Sequence, residues 1–267
     1  DRGVPTCSEF FTQRLAEELV ALQGQAHLIV ACNVLGHVDD LDDLLRGVRA
    51  LLHQDGRFVV EVPYLANMVR EREYDTIYHE HLSYFAVRPL YQLLRRHSLA
   101  ILGIQCFAVH GGTLRLTVGH GVRQSPAVLD AWLLSEERAR LADVGPYVTL
   151  ATQALENQVQ LQTRLRELCD AGKRVLGYGA PAKGTVRLNY CRIDTNLLPI
   201  VLDCTSAKQG RHVPGTHQLV RPTTELATLR PDYLLLLAWN HAAEILAREV
   251  AYLADGGKFL TPWLEEL

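Results

Sequence analysis

Nearly continuous apolar runs alternate with helix-periodic segments along this chain, and that alternation constrains its fold more than any other feature. The runs "HLIVACNVL" and "RFVVEVPYL" contain few polar residues, so each predicts a strand that is buried on both faces of a sheet. Each run follows a segment with apolar residues at helical spacing, 8–24 and 39–56. This order predicts an α/β domain with helices packed on a mostly parallel sheet.

A hairpin ends this first domain and a second domain follows. The stretch "LAILGIQCFAVHGGTLRLTVGH" predicts two antiparallel strands joined at Gly111-Gly112. After a polar, helix-favouring region, "KRVLGYGAPAKGTVRLNY" predicts a strand, a glycine-rich turn and a helix, and three further apolar runs supply more strands. We therefore expect a second, doubly wound α/β domain.

Composition and charge exclude several classes of partner. The net charge of −3, with no basic arm, argues against nucleic-acid binding, and the apolar run "YLLLLAW" is too short to cross a membrane. The 6 cysteines form no CxxC pair, which predicts reduced thiols in a cytoplasmic protein. The chain starts at Asp1 without an initiator methionine or a targeting signal, so we expect a processed or partial chain.

The motif Tyr78-His79-Glu80-His81 concentrates groups that can move protons. Histidine titrates near neutral pH and can take up a proton and release it again, and Glu80 could orient an imidazole while Tyr78 stabilises an oxyanion. A solvated turn and a metal site are the alternatives, although zinc helices separate their histidines by three residues. The density of these groups favours an acid–base site without a metal.

Two more candidates follow the strands of the first domain. His37 comes after the first apolar run and Tyr64 after the second. Ligands of parallel sheets bind at the carboxyl ends of strands, so these side chains and the histidine motif could line one crevice. Alone, His37 would read more simply as a loop histidine.

The glycine-rich turn "GYGAPAKG" is a weaker signal. Its glycines would let a helix N-terminus approach a phosphate, but the spacing matches neither the dinucleotide fingerprint nor a P-loop. Asp203 ends the next predicted strand, where an acid can bind a ribose hydroxyl, and Lys208 and Arg211 form a candidate diphosphate clamp. An ordinary turn with solvated basic residues is the alternative.

Taken together, "CNVLGHVDDL", "EVPYL", "YDTIYHEHLSYF", "HGGTLRL", "GYGAPAKG", "KQGRHVPG" and "DYLLLLAWN" make the chain resemble the nucleotide-sugar C-methyltransferases of deoxysugar biosynthesis. The resemblance covers nearly the whole chain. It implies a partial class I (Rossmann-like) methyltransferase domain over 1–122, a helical connection over 123–170 and a C-terminal α/β nucleotide-sugar-binding domain over 171–267. These enzymes transfer a methyl group from S-adenosylmethionine to a sugar carbon beside a 4-keto group.

The chain departs from that family at its start. It has no cysteine cluster for the family's zinc domain and no glycine loop for S-adenosylmethionine. We therefore expect most of the S-adenosylmethionine site, and any zinc, to lie upstream of residue 1.

The resemblance also assigns roles to individual residues. His81 would be the general base, with Tyr78 and Glu80 beside it and His37 near the reacting carbon, while Asn33 would face the cofactor. The substrate side would comprise Tyr64, His79, His110, Gly112 and Arg115 from the first domain and Tyr178, Lys183, Asp203, Lys208 and Arg211 from the second.

The implied chemistry explains the residue types. A carbon beside a ketone becomes nucleophilic after it loses a proton to a base such as His81. A donor to the enolate oxygen contributes about 3–4 kcal/mol. The prediction is C-methylation of a 4-keto-deoxysugar linked to a thymidine diphosphate. An NAD-dependent oxidoreductase and a non-catalytic nucleotide-sugar-binding protein are the alternatives.

Overall fold

The computed structural model describes residues 3–107, 111–121 and 127–267. The chain divides into two compact units: a first unit of Asp1–Glu71 and His79–Pro146, and a second unit of Arg72–Tyr78 and Tyr147–Leu267. The resemblance placed all of residues 1–122 in the first domain, whereas a short segment that ends at Tyr78, the first residue of the histidine motif, belongs to the second unit. We call this segment, Arg72–Tyr78, the anchor segment.

The first unit is a four-stranded sheet with helices. Its elements are α1 (Gln13–Gln23), β1 (Ala26–Cys32), a 3-10 helix (Leu35–His37), α2 (Leu41–Leu51), β2 (Leu52–Pro63), α3 (Leu65–Arg70), α4 (Val87–Arg96), β3 (Leu99–Phe107), β4 (Thr113–His120) and α5 (Ala127–Arg138). The strand order is β1-β2-β4-β3. β1 pairs with β2 in parallel, and β2–β4 and β4–β3 are antiparallel.

The core of this unit lies on the central strands. β2 buries Phe58, Val60 and Val62, which lie at alternate positions and therefore share one face of the strand. The prediction of a strand buried on both faces is wrong for β1. This strand is paired on one side only, and Leu28 and Val30 are 61% and 56% exposed.

The predicted hairpin is confirmed as an antiparallel pair, β3–β4. Part of its turn, 108–110, lies outside the described residues. Gly112 has φ +117, and a Cβ at this position would lie 1.8 Å from the side-chain nitrogen of Asn67. The turn therefore requires glycine both for its backbone conformation and for space.

The second unit is a fully parallel five-stranded sheet. Its elements are α6 (Gly145–Asp170), β5 (Val175–Tyr178), α7 (Ala182–Tyr190), β6 (Ile200–Asp203), β7 (Leu219–Pro222), α8 (Leu226–Leu229), β8 (Tyr233–Leu236), α9 (Ala242–Arg248), α10 (Val250–Ala254) and β9 (Lys258–Leu260), with 3-10 helices at Tyr74–Thr76, Thr223–Glu225 and Trp239–His241. The strand order is β7-β6-β5-β8-β9. This is a doubly wound sheet, as predicted: the chain builds from β5 out to β7 and then continues with β8 on the other side of β5, so the strand order reverses between β5 and β8.

Two details of this unit were not predicted. β7 is short and ends in a proline, which left it without a clear strand pattern. The helix predicted before the last strand is divided at Glu249 into α9 and α10.

Candidate functional site

Two histidines from distant parts of the first unit lie side by side. His37 ends the 3-10 helix after β1, and the carbonyl oxygen of the preceding Gly36 accepts the N–H groups of Leu82 and Ser83 at 2.7 and 3.3 Å. These bonds hold the chain just after His81 against the loop that carries His37. The two imidazole ring centroids are 5.0 Å apart at an interplanar angle of 61°.

This pair suits proton transfer. His37 is exposed and His81 is half-buried, and the His81 ring also meets Tyr84 edge-on at 6.2 Å. A neutral imidazole can accept a proton near neutral pH on one ring nitrogen and can donate a hydrogen bond through the N–H of the other. Two adjacent imidazoles can therefore provide a base and a hydrogen-bond donor at one place.

The rest of the motif is distributed differently. His79 and Glu80 are 91% and 61% exposed, and their side chains approach to 4.0 Å. Tyr78 is half-buried and belongs to the second unit. The Glu80 carboxylate thus lies near the imidazole of His79, the residue just before it.

Tyr64 and Arg115 have partners within the first unit. The buried Tyr64 donates its hydroxyl to Glu136 at 3.1 Å and meets the Trp132 ring. Burial raises the pKa of the Tyr64 hydroxyl, and the Glu136 carboxylate adds to that rise. Arg115 forms an ion pair with Glu61 on the neighbouring strand. His110, also predicted at the substrate side, lies outside the described residues.

The glycine-rich turn of the second unit packs against the end of β8, at the point where the strand order reverses. Gly179 has φ +85, and a Cβ there would lie 2.5 Å from the Cβ of Ala238. A Cβ at Gly184 would lie 2.9 Å from the Cβ of Leu237. The spacing GxGxxxxG therefore reflects close packing of β5 and α7 against β8, at the point where doubly wound sheets bind ligands.

Lys183 and Trp239 contact each other at the point between β5 and β8 where the strand order reverses. The Lys183 ammonium lies 4.4 Å from the centre of the Trp239 ring. Burial lowers the pKa of the Lys183 ammonium, although the Glu73 and Asp75 carboxylates oppose that shift. A half-buried cation beside the first turn of α7 is suited to bind an anionic group.

Asp203 organises the turn beside this cation. One carboxylate oxygen accepts the N–H of Ala180 and the other that of Thr205, both at 2.7 Å, while Lys208 donates to the Ala180 carbonyl at 3.0 Å. Burial alone would raise the pKa of the Asp203 carboxyl, but these backbone donors and the Lys208 ammonium hold it below its usual value. The carboxylate is thus already bonded within the protein, and Arg211 is exposed nearby in sequence.

The expected contact between Tyr178 and a ligand needs correction. Tyr178 is 2% exposed and packs in the apolar cluster formed with Phe259 and Ile245. Its hydroxyl donates to Glu249 and accepts from Arg248. Alternate strand residues point to opposite faces, and this one points into the core.

Sequence reasoning missed several buried polar residues. Glu136, Arg187 and Asp75 are 3%, 0% and 0% exposed. Their partners lie far away in sequence, so no local pattern marks them. Trp239 had one available signal, since it directly follows the strand "YLLLLA" at its carboxyl end.

Comparison with known proteins agrees with this architecture. The model of a C-methyltransferase C-terminal domain matches residues 108–263, and that of a methyltransferase domain matches residues 6–103. The C-methyltransferase NovU of Streptomyces niveus is 37% identical over 98% of this chain. This chain belongs to the C-methyltransferase family. It spans 63% of the length of NovU.

As a C-methyltransferase family member, the chain carries a domain that implies use of S-adenosylmethionine. Asn33 fits one side of such a site: it is exposed at the carboxyl end of β1, with φ +55, a conformation that asparagine tolerates. Between residue 3 and β1 the sequence has no glycine-rich loop to form the other side.

Two further properties of this family member concern metals and membranes. Within 3–107, 111–121 and 127–267, no group of three or more His, Cys, Asp or Glu side chains is arranged to hold a metal ion. In the same described ranges, no helix is both long and apolar enough to pass through a bilayer.

Proposed function

We propose that this chain is part of an S-adenosylmethionine-dependent C-methyltransferase whose substrate is a nucleotide-linked 4-keto-deoxysugar. The observation that carries the proposal is the pair of imidazoles, His37 and His81, fixed through Gly36 in a chain of this family. Enolisation of a ketone needs both a base and a donor to the developing oxyanion, and this pair offers both.

His81 acts as the base in this proposal. Its half-buried imidazole takes the proton from the carbon next to the ketone, while His37 donates a hydrogen bond to the enolate oxygen. A well-placed donor of this kind contributes about 3–4 kcal/mol. Bound S-adenosylmethionine supplies an electrophilic methyl group, and Asn33 contributes to holding it.

The second unit binds the nucleotide diphosphate in this proposal. Lys183 and Lys208 place two ammonium groups around the turn after β5, and the N-terminus of α7 adds the positive end of its dipole. The proposed nucleotide is thymidine diphosphate. Since all six cysteines are free thiols, a reducing, cytoplasmic location fits the proposal.

Parallel calorimetric titrations test the ligand class. The full chain is titrated with thymidine diphosphate, NAD and S-adenosylmethionine. We expect thymidine diphosphate to bind, and Lys183→Gln to weaken its binding about tenfold through loss of a charge-assisted contact. Lys173→Gln is the matched control, because Lys173 is an exposed lysine of the same unit paired with Asp232.

The alternatives make different predictions in the same titrations. The fully parallel sheet of the second unit is also the fold of nicotinamide-binding domains. Binding of NAD without thymidine diphosphate would therefore contradict the methyltransferase proposal and favour an oxidoreductase. Binding of the nucleotide without any exchange of solvent deuterium into a nucleotide-linked 4-keto-deoxysugar would favour the non-catalytic alternative.

A further inference from the structure

A buried ion pair ties the anchor segment to α7 within the second unit. The side chains of Arg187 and Asp75 are 1% and 0% exposed, and the guanidinium donates through Nη2 and Nε to one carboxylate oxygen at 2.8 and 3.0 Å. The indole N–H of Trp239 donates to the same oxygen at 2.9 Å. Three donors from two elements thus converge on one atom of Asp75.

Nη1 of Arg187 makes two further hydrogen bonds. Nη1 donates to Asn157 on α6 at 2.8 Å and to the Tyr74 hydroxyl at 3.1 Å. The guanidinium lies 4.5 Å and 4.7 Å from the ring centres of Tyr74 and Trp263. Asn157 in turn donates to the carbonyl of Pro262 at 2.8 Å. The network therefore joins the anchor segment to α6, α7 and the C-terminal segment.

Stability alone does not explain a network of this kind. Replacing a buried ion pair with apolar residues of similar volume is often neutral or stabilising. What hydrogen-bonded ions add is one defined arrangement, because each donor must meet its acceptor at the correct distance and angle. The network thus fixes a segment that consists of seven residues and one 3-10 turn.

The location of this fixed point connects it with the proposed chemistry. Asp75 precedes His81 by six residues, and the chain returns to the first unit directly after Tyr78. Trp239 contacts both the anchor segment and the proposed diphosphate-binding lysine. Its N–H donates to Asp75, and its ring faces the ammonium of Lys183. Lys183 and Arg187 are also one helical turn apart on α7.

We propose that Asp75, Arg187 and Trp239 are positioning residues that fix the chain six residues before the His81 base. This inference rests on the proposed function. The indole of Trp239 is the shared element between the proposed diphosphate-binding lysine and the anchor segment. Losing its bond to Asp75 misplaces the base, and displacements of about 1 Å can cost about a hundredfold in rate.

Two matched tryptophan variants test the proposal in the full chain. Trp239→Phe keeps a ring but removes the N–H that bonds Asp75. Trp263→Phe makes the same change in a neighbouring ring, 5.0 Å away, whose N–H has no hydrogen-bond partner among the described residues. The assay is exchange of solvent deuterium into a thymidine-diphosphate-linked 4-keto-deoxysugar, with its pH profile and thermal unfolding measured alongside. Asp75→Asn serves as the more severe variant.

We expect Trp239→Phe to lower kcat for exchange about tenfold, with KM changed less than about twofold and the pH profile unshifted. Trp263→Phe should stay within about twofold of wild type. Equal losses in both tryptophan variants, or a wild-type kcat in folded Trp239→Phe, would overturn the proposal. So would loss of the folded second unit in Trp239→Phe, because the network would then serve stability.

A second readout separates this inference from the proposed function. Amide hydrogen exchange of the peptide covering 76–84 should be faster in Trp239→Phe than in Trp263→Phe. If the wild-type chain exchanged no deuterium into the sugar, the proposed function would fail, yet the amide comparison would still decide whether the anchor exists. Equal amide protection of this peptide in both variants would contradict the proposal that the bond between Trp239 and Asp75 fixes the anchor segment.

Discussion

Asp203 shows how one carboxylate can order a whole glycine-rich turn. Its two oxygens bond the N–H groups of Ala180 and Thr205, so the turn after β5 and the loop after β6 share one acceptor. Charge-assisted bonds of this kind are worth about 1.5–3 kcal/mol each. Asp203 therefore orders the backbone around Ala180 and Thr205, and the Lys208 ammonium balances the negative charge of its carboxylate.

A pH-dependent contribution to stability follows from Asp203. Its pKa is lowered in the folded state, so the stabilisation is complete above the unfolded value of about 3.9 and is lost as the pH falls through the folded value. We expect Asp203→Asn to lower the free energy of unfolding by about 1–3 kcal/mol at neutral pH. Urea unfolding between pH 2 and pH 7 measures it.

The control for this prediction is Asp255→Asn, since Asp255 is an exposed aspartate of the same unit. Its unfolding curve should match wild type across the pH range. If Asp203→Asn instead kept the wild-type pH dependence below about pH 4, the bonds to Ala180 and Thr205 would not be the cause.

Among the elements, the pairing of β5 with β8 sets the geometry of the proposed nucleotide site. The N–H groups of Leu237 and Ala238 both donate to the Tyr178 carbonyl, at 2.9 and 3.3 Å. The chain after β8 therefore continues along the end of β5, which brings Trp239 to the start of α7. Only a residue without a side chain fits at Gly179 between them.

Gly179→Ala tests this packing, with Gly172→Ala as the matched control. Both glycines have positive φ, +85 and +71, but only Gly179 would place a Cβ against another residue. Backbone strain should cost about 1 kcal/mol in either variant. Gly179→Ala should lose more stability and also weaken thymidine diphosphate binding, as calorimetry would show. Equal effects of the two changes would mean that the close approach to Ala238 is unimportant.

The strands and helices were largely predictable, since apolar runs and helical periods are local properties. The parallel β1–β2 pair, the β3–β4 hairpin, the parallel sheet of the second unit and the long helix over 145–170 followed from them. The exposure of β1 was not predictable, because it depends on which neighbours a strand has rather than on its own residues. β7 was missed because its short pattern is hidden by polar and proline residues.

For the whole molecule, the assignment of the anchor segment to the second unit is the feature that a sequence pattern could not show. Asp75 and Arg187 are 112 residues apart, and the anchor segment looks like part of the first domain when read along the chain. His37 and His81 were candidates from the sequence because His37 follows an apolar run and His81 ends the histidine motif. Their closeness depends on two backbone bonds to Gly36, which only the folded chain reveals.

The role of His81 as the general base is tested by measuring solvent deuterium exchange into the carbon next to the ketone. The His81→Asn variant is compared with His27→Asn, which is the control. His27 is an exposed histidine of the first unit, stacked on His53. We expect His81→Asn to abolish exchange while thymidine diphosphate still binds with wild-type affinity, and His27→Asn to exchange normally. Exchange at the wild-type rate in His81→Asn would show that another group removes the proton.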